Sequence, residues 1–291
     1  MDKAQDIRDS LEKLRNLPTL PAIIQKLHVA MLDPASSASS VARIIEDDPS
    51  MMARILKIVN SAMYGTWEPI VSLDLAVARL GFAAITNIAT STAVFRTYGR
   101  DGQADFDRQA FWRHCISVGI GVNVVYERCK PQLARRHGKD VLHLAGLLHD
   151  VGKIVLEPHF HLEYMAAVLA ARDGRLPLQK TEREGLGTDH CEVGGWLGAR
   201  WNLAPEVLQV IQWHHDPYQA DPQHQELVLL AHVANHICNL EKIGDGGDLA
   251  APDLHPKAWA QLGLSERDVP SVVDEVVERS KASEVLLALY G

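Results

Sequence analysis

The chain has 291 residues, 47% of them hydrophobic and 23% charged; this is the balance of an ordinary globular protein with one large core or two modest ones, and it excludes intrinsic disorder. A formal net charge of -8 at pH 7 excludes a broad phosphate-neutralising surface, because nucleic-acid affinity rests on clustered Lys and Arg that release counterions, so no nucleic-acid partner is expected. Cys115, Cys129, Cys191 and Cys238 form no C-x-x-C pair and read as reduced core thiols; no apolar signal region opens the chain and charge interrupts every long apolar run, so the expected location is the cytoplasm, with no membrane partner.

Apolar residues recur at helical spacing almost everywhere and short alternating runs joined by hairpin turns are missing, which predicts an all-α fold. In residues 20–32, Pro21 suits a first helical turn and Ile23, Ile24, Leu27 and Met31 share one face, while the Ser-rich stretch 34–40 breaks the helix. A second helix is expected over 41–48, stopped by Pro49, and a third over 50–60 with Met51, Ile55, Ile58 and Val59 turned inward. A fourth and a fifth are expected over 73–80 and 83–98, separated by Gly81. Met63, Tyr64 and Trp67 form either a partner patch or a seam between halves. The polar stretch 100–105 is the best internal boundary, dividing the chain into 1–104 and 105–291.

Further helices are predicted over 107–129, 141–149, 161–171, 189–201, 205–215 and 226–240, with a last one from about Pro270. Asp189 and Glu192 have capping-box spacing, and Pro205 sits at a first helical position. Gly244-Asp-Gly-Gly-Asp248 lacks the Lys-Ser/Thr of a phosphate loop and the spacing of a calcium loop, so it reads as a flexible surface loop. Val272, Val273, Val276 and Val277 make an apolar stripe expected to dock on the protein's own core, with a homodimer as the alternative. Trp112, Trp196, Trp201 and Trp213 are expected to wall the core.

The chemistry lies in the histidines. His149 and Asp150 are adjacent at the end of an apolar helix, where a break at Gly152 lets both face one point; His114 precedes them, His190 opens a later helix, and His214 with His215 ends another. Imidazole nitrogen and carboxylate oxygen suit a first-row divalent metal, and helix ends can present them to one cavity. Isolated histidines such as His28, His143, His159 and His236 read instead as surface or hydrogen-bonded core residues.

From Phe111 to Asn239 this arrangement resembles the HD superfamily of metal-dependent phosphohydrolases. Phe-Trp-Arg-His114 is similar to its first-ligand helix and Leu-Leu-His149-Asp150-Val-Gly-Lys153 to its name-giving motif, while His190 and His214-His215 resemble the extra histidines of the HD-GYP cyclic-di-GMP hydrolases. Leu17-Pro-Thr-Leu-Pro21, Ile44-x-x-Asp47-Asp48-Pro49, Leu56-Lys-Ile-Val-Asn60-Ser61-Ala62 and Ala76-Val-Ala-Arg-Leu80-Gly81, in that order, resemble the HDOD relatives. That resemblance implies an N-terminal helical bundle packed on a C-terminal HD-like multi-helix domain.

The chain also departs from the hydrolases. Where they end the ligand set with an Ala-Asp pair, it has Ala234-Asn235; a Gly-Tyr-Pro loop does not follow His215; and Ala110 stands where some place a glutamate. Two divalent ions would bring four positive charges against Asp150 as the only matched anion, which makes a two-metal mechanism costly. The expectation is therefore a non-catalytic signalling module working through proteins of a two-component or cyclic-dinucleotide pathway. It keeps at most one divalent ion (Fe, Mn, Zn or Ni) on His114, His149, Asp150, His190, His214 and His215, with Asn235 or His232 as weak substitutes. The alternative is a metal-dependent phosphohydrolase in which Lys153 steadies the phosphate.

Overall fold

The computed structural model describes residues 21–61, 64, 68–98, 106–248, 251–281 and 283–290. Leu17 to Leu20, Met63, Trp67 and the boundary stretch 100–105 lie outside the described residues, which are helical and contain no strand. No single helix among them is long and apolar enough to cross a membrane.

Local side chains set the helix ends of the N-terminal bundle. The serine stretch ends the first helix at Leu32, as expected, and its last serines also start the next: Ser37 Oγ accepts from Ser40 N at 3.2 Å and Ser40 Oγ from Ser37 N at 2.8 Å, a reciprocal cap that begins the Ala38–Glu46 helix three residues early. Asp48 caps the Pro49–Val59 helix through Met51 N at 3.0 Å and binds Arg96 at 2.6 Å, which fastens that helix to Phe82–Tyr98. Asn60 then works as a backbone substitute. Its amide accepts from Ile70 N and donates to the carbonyls of Ile70 and Leu56, each at 2.8 Å, closing the loop between the Pro49–Val59 and Leu73–Leu80 helices.

The C-terminal part is built around the Arg108–Cys129 helix, which is buried along most of its length and packs on Lys139–Leu148, Gln225–Leu240 and Val269–Ser280. Glycine permits the closest of these contacts: a Cβ at Gly146 would lie 2.6 Å from Gly119 Cα, so the two backbones touch. Phe82–Tyr98 joins the two parts by packing on Lys139–Leu148, with Asn87 donating to Asp140 at 2.7 Å. One cluster of buried apolar side chains runs from Ile24 to Leu286, so the N-terminal bundle shares its core with the HD-like helices.

Val272 and Val276 are fully buried in that core, while Trp112 and Trp201 line it. Trp196 departs from expectation: it is 37% exposed on the outer face of the His190–Arg200 helix. Short helices at Lys153–His159, Leu178–Leu186, Ala258–Gln261 and Ser283–Tyr290 were not legible. The first contains Pro158, and the second turns only Leu178, Thr181, Glu182 and Leu186 inward, too weak an apolar stripe to read.

Asn60→Asp removes both amide donations and sets a carboxylate against two carbonyls; a loss of about 1–3 kcal/mol is expected in urea unfolding. His143 gives a pH signature. Burial holds its imidazole down to about 4, against a backbone hydrogen bond at Gly119 that pulls it up. The unfolded chain takes up this proton near 6.5, so its stabilisation is whole above that pH and is lost toward 4, at roughly 1.4 kcal/mol per unit. Denaturation midpoints should therefore fall more steeply over that interval in the parent protein than in His143→Gln.

Candidate metal centre

Five helical elements deliver the site. His114 projects from the middle of Arg108–Cys129, His149 and Asp150 follow the end of Lys139–Leu148, His190 opens His190–Arg200, and His214 and His215 follow Pro205–Trp213; Lys153 begins Lys153–His159. Gly152 is needed for closeness and not for a left-handed turn. Its φ is -61°, in the right-handed region, and a Cβ there would lie 2.0 Å from the carbonyl oxygen of His190. Asp189 caps the His190 helix through Glu192 N at 2.8 Å, but Glu192 accepts from Thr188, so only half of the expected capping box forms.

The side chains converge on Asp150. Its Oδ2 lies 2.7 Å from Lys153 Nζ, 3.3 Å from His149 Nε2 and 3.9 Å from His114 Nε2. Its Oδ1 lies 3.3 Å from His190 Nε2 and 3.5 Å from His214 Nε2, and His215 Nε2 is 3.1 Å from His190 Nε2. The rings are aimed from behind. Nδ1 faces the Gly146 carbonyl in His149 at 2.7 Å, the Val210 and Ile211 carbonyls in His214 at 3.2 Å, and the Glu182 carboxylate in His190 at 2.6 Å. Each ring is thus anchored through Nδ1 and turns Nε2 inward, the arrangement metal-binding histidines need.

Charge follows burial and pairing. Burial opposes ionisation of Asp150, yet the neighbouring His149 and Lys153 hold its carboxyl well below the usual range. Burial likewise opposes the Lys153 ammonium, but Asp150, Asp248 and Glu182 raise its pKa. Desolvation drives His114 down to about 3 and His214 to about 4, whereas for His190 burial is overcome by the Glu182 carboxylate and Cys191 together, which raise it. His114 Nε2, His149 Nε2 and Asp150 Oδ1 are buried with no hydrogen-bond partner. Buried polar atoms are rarely left unpaired, and two imidazole nitrogens and a carboxylate oxygen are the donors a divalent metal takes. The cluster can hold a metal.

Several contributors had no readable signal. Glu182, fully buried, binds both Nδ1 and the backbone N of His190, the latter at 3.0 Å. Cys191, expected to be an inert core thiol, groups with His190, His214 and His215, all ligand atoms within 4.8 Å of one another. The 244–248 loop is a closure and not a flexible surface loop: Asp245 N donates to Ala110 O at 3.0 Å, Gly246 O accepts from Lys153 at 2.6 Å, and Asp248 accepts from Leu178 N at 2.8 Å with its other oxygen 4.0 Å from Lys153. Its glycines were the one available hint of close backbone approach.

His232 does not turn inward as a ligand: its Nδ1 faces His214 O at 2.8 Å and its Nε2 accepts from His255 N at 3.0 Å. The Asn235 carbonyl oxygen accepts from Asn239 at 2.8 Å. Lys153 spends its donors on Asp150 and Gly246 O.

The closure makes a direct test. Gly244 has φ +74°, and a Cβ there would lie 2.3 Å from His114 N, so Gly244→Ala should cost about 2–4 kcal/mol in urea unfolding through strain and overpacking. Gly185→Ala, whose Cβ meets nothing nearer than 4.0 Å, should be neutral or gain up to about 1 kcal/mol.

The sequence profile of the HDOD domain family matches residues 17–217. Among solved structures, an HDOD domain protein of unknown function from Geobacter sulfurreducens superposes with a TM-score of 0.77 at 24% identity, covering 98% of both chains. A candidate phosphohydrolase from Shewanella amazonensis SB2B gives 0.71 at 20% identity, covering 99% of both. A candidate signal transduction protein from Marinobacter aquaeolei VT8 gives 0.68 at 23% identity, covering 98% of this chain and 61% of that one. An uncharacterised protein of Treponema pallidum is 23% identical over 228 residues, 77% of this chain and 42% of its own length, so the chain spans less than half of that curated relative.

Proposed function

The chain belongs to the HDOD family, and from that premise we propose that it is a non-catalytic regulatory module, acting through protein contacts in a bacterial two-component or cyclic-dinucleotide signalling pathway and holding one divalent ion at its histidine cluster. The observation that carries this reading is the Lys153 ammonium, which sits 2.7 Å from Asp150 Oδ2 inside a buried site. A fixed cation there repels a metal drawn to the same oxygen. Asp150, Glu182 and Asp248 against Lys153 leave two formal negative charges, enough to balance one divalent ion and not two. The neutral Asn235 adds none. The bundle and the HD-like helices share a core, so a change at the cluster can be felt in the N-terminal half. The signal-transduction description of the Marinobacter protein agrees with this role.

A metal-dependent phosphohydrolase is the second reading, favoured by the unpaired Nε2 atoms of His114 and His149 and the unpaired Oδ1 of Asp150. An ion held by these groups would supply Lewis-acid activation of water and phosphoryl oxygen. Lys153, if released from Asp150, would bind the phosphate; the buried histidines would orient the reacting groups.

Protein loaded in turn with manganese, iron, zinc and nickel should turn over cyclic-di-GMP and bis-p-nitrophenyl phosphate no faster than the His149→Ala variant. Metal-dependent turnover that His149→Ala abolishes would establish the phosphohydrolase instead.

A further inference from the structure

The ligand groups fall into two sets around Asp150: His114, His149 and Asp150 on one side, and His190, Cys191, His214 and His215 on the other. They differ in chemistry. On the first side the carboxylate oxygen that faces both rings is already ion-paired to Lys153. On the second side no Lys or Arg among the described residues contacts the ligand atoms, and a sulfur joins three imidazoles.

We propose that the single ion is zinc, held by His190, Cys191, His214 and His215, with the Cys191 thiolate as a ligand; this deepens the one-ion reading above and rests on it. Tetrahedral zinc with nitrogen and sulfur ligands at their usual bond lengths has ligand-to-ligand edges of about 3.3–3.6 Å. His190 Nε2 to His215 Nε2 is 3.1 Å and Cys191 Sγ to His214 Nε2 is 4.0 Å, so those pairs stand within about half an ångström of the required edges. The nitrogens to be used face one another: His190 and His214 are each anchored through Nδ1, leaving Nε2 inward.

Charge and softness agree. A Cys191 thiolate and the Glu182 carboxylate behind His190 together match the two positive charges of the ion, and a bound metal deprotonates a coordinating thiol outright. The Gln179 amide nitrogen lies 3.4 Å from Cys191 Sγ and donates to it. Burial pushes the Cys191 thiol up, so the thiolate forms as the metal binds. Asp150 Oδ1, buried and without a hydrogen-bond partner, lies 3.3 Å from His190 Nε2 and 3.5 Å from His214 Nε2 and adds a further negative atom beside the ion. Thiolate selects zinc over the harder ions that carboxylate sites take. His215 is only half-buried, which gives the ion a route in.

The test uses the full chain, with Cys238→Ser as the control for loss of a buried thiol away from the cluster. Purified protein should contain one zinc per chain, and cobalt replacement should give a near-ultraviolet thiolate-to-cobalt charge-transfer band. Cys191→Ser should lose that band and bind zinc at least tenfold more weakly, while Cys238→Ser keeps both; Cys191→Asp should recover binding without the band. One ion per chain with no charge-transfer band, or a band that persists in Cys191→Ser, would overturn the assignment and leave the one-ion reading standing. Two ions per chain would overturn both.

Discussion

The buried contact between Asp150 and Lys153 is the constraint on which the site depends. A carboxylate and an ammonium, each almost free of solvent, are stable in that position only as partners, and removing one would leave a charge whose burial costs about 3–5 kcal/mol. Such a pair adds little to net stability, since two apolar residues would fold as well. Its effect is positional. It holds the start of the Lys153–His159 helix against the end of Lys139–Leu148 and draws Gly246 O of the closing loop onto the same ammonium. The His190 turn can approach because Gly152 has no side chain. Three segments distant in sequence, around residues 148–153, 190 and 246, thus meet at one carboxylate.

The same contact is what the proposed regulatory reading rests on. In a hydrolytic centre, the bridging carboxylate has to be free to hold metal, and the positive groups around it have to face substrate. Here the ammonium faces the carboxylate, and the chain supplies an amide at Asn235, whose carbonyl oxygen is already taken by Asn239. The acids that do approach, Glu182 and Asp248, stand behind His190 and beside Lys153. They tune ligands and balance charge; neither approaches Asp150 as a second anionic ligand.

Much of this was legible wherever a helix end carried the chemistry. His114, His149, Asp150, His190, His214 and His215 could be placed because each lies on or beside an apolar helix whose 3.6-residue rhythm fixes its direction, and the Leu73–Leu80 helix reads at its observed bounds because Ser72 caps it and Gly81 ends it. What the pattern could not carry were contacts made by backbone and by solitary acids. Glu182 looks like any surface glutamate in a polar helix until Leu178–Leu186 folds back on the His190 turn. Gly244 to Asp248 has the composition of a surface loop, yet only glycine can pass so near His114, and the meaning of that composition depends on a helix more than a hundred residues earlier. Cys191 is the reduced, buried thiol the pattern suggests, but its place beside three histidines could not be read, since burial is common to inert and ligating thiols.

The N-terminal motifs carry a complementary meaning. Asp48 and Asn60 each spend a side chain on hydrogen bonds that the backbone cannot make at a helix end or loop closure, and Asp48 also reaches Arg96 on the helix that packs against Lys139–Leu148, the helix that ends at His149. The residues that define the bundle therefore stiffen an element that links it to the cluster. A rigid link is what a regulatory module requires, because a shift of the Asp150 segment can alter the bundle's surface only if intervening helices move as bodies and do not absorb the change. Closure of the cluster by the 244–248 loop adds the other half of that logic. Asp245 is bound to Ala110 O and to Arg172, so an occupant that displaces Gly246 from Lys153 must also strain contacts at the outer face of two further helices. In the proposed regulatory role it is this packing that would couple occupancy to the outer surface, without any reaction having to occur at the centre.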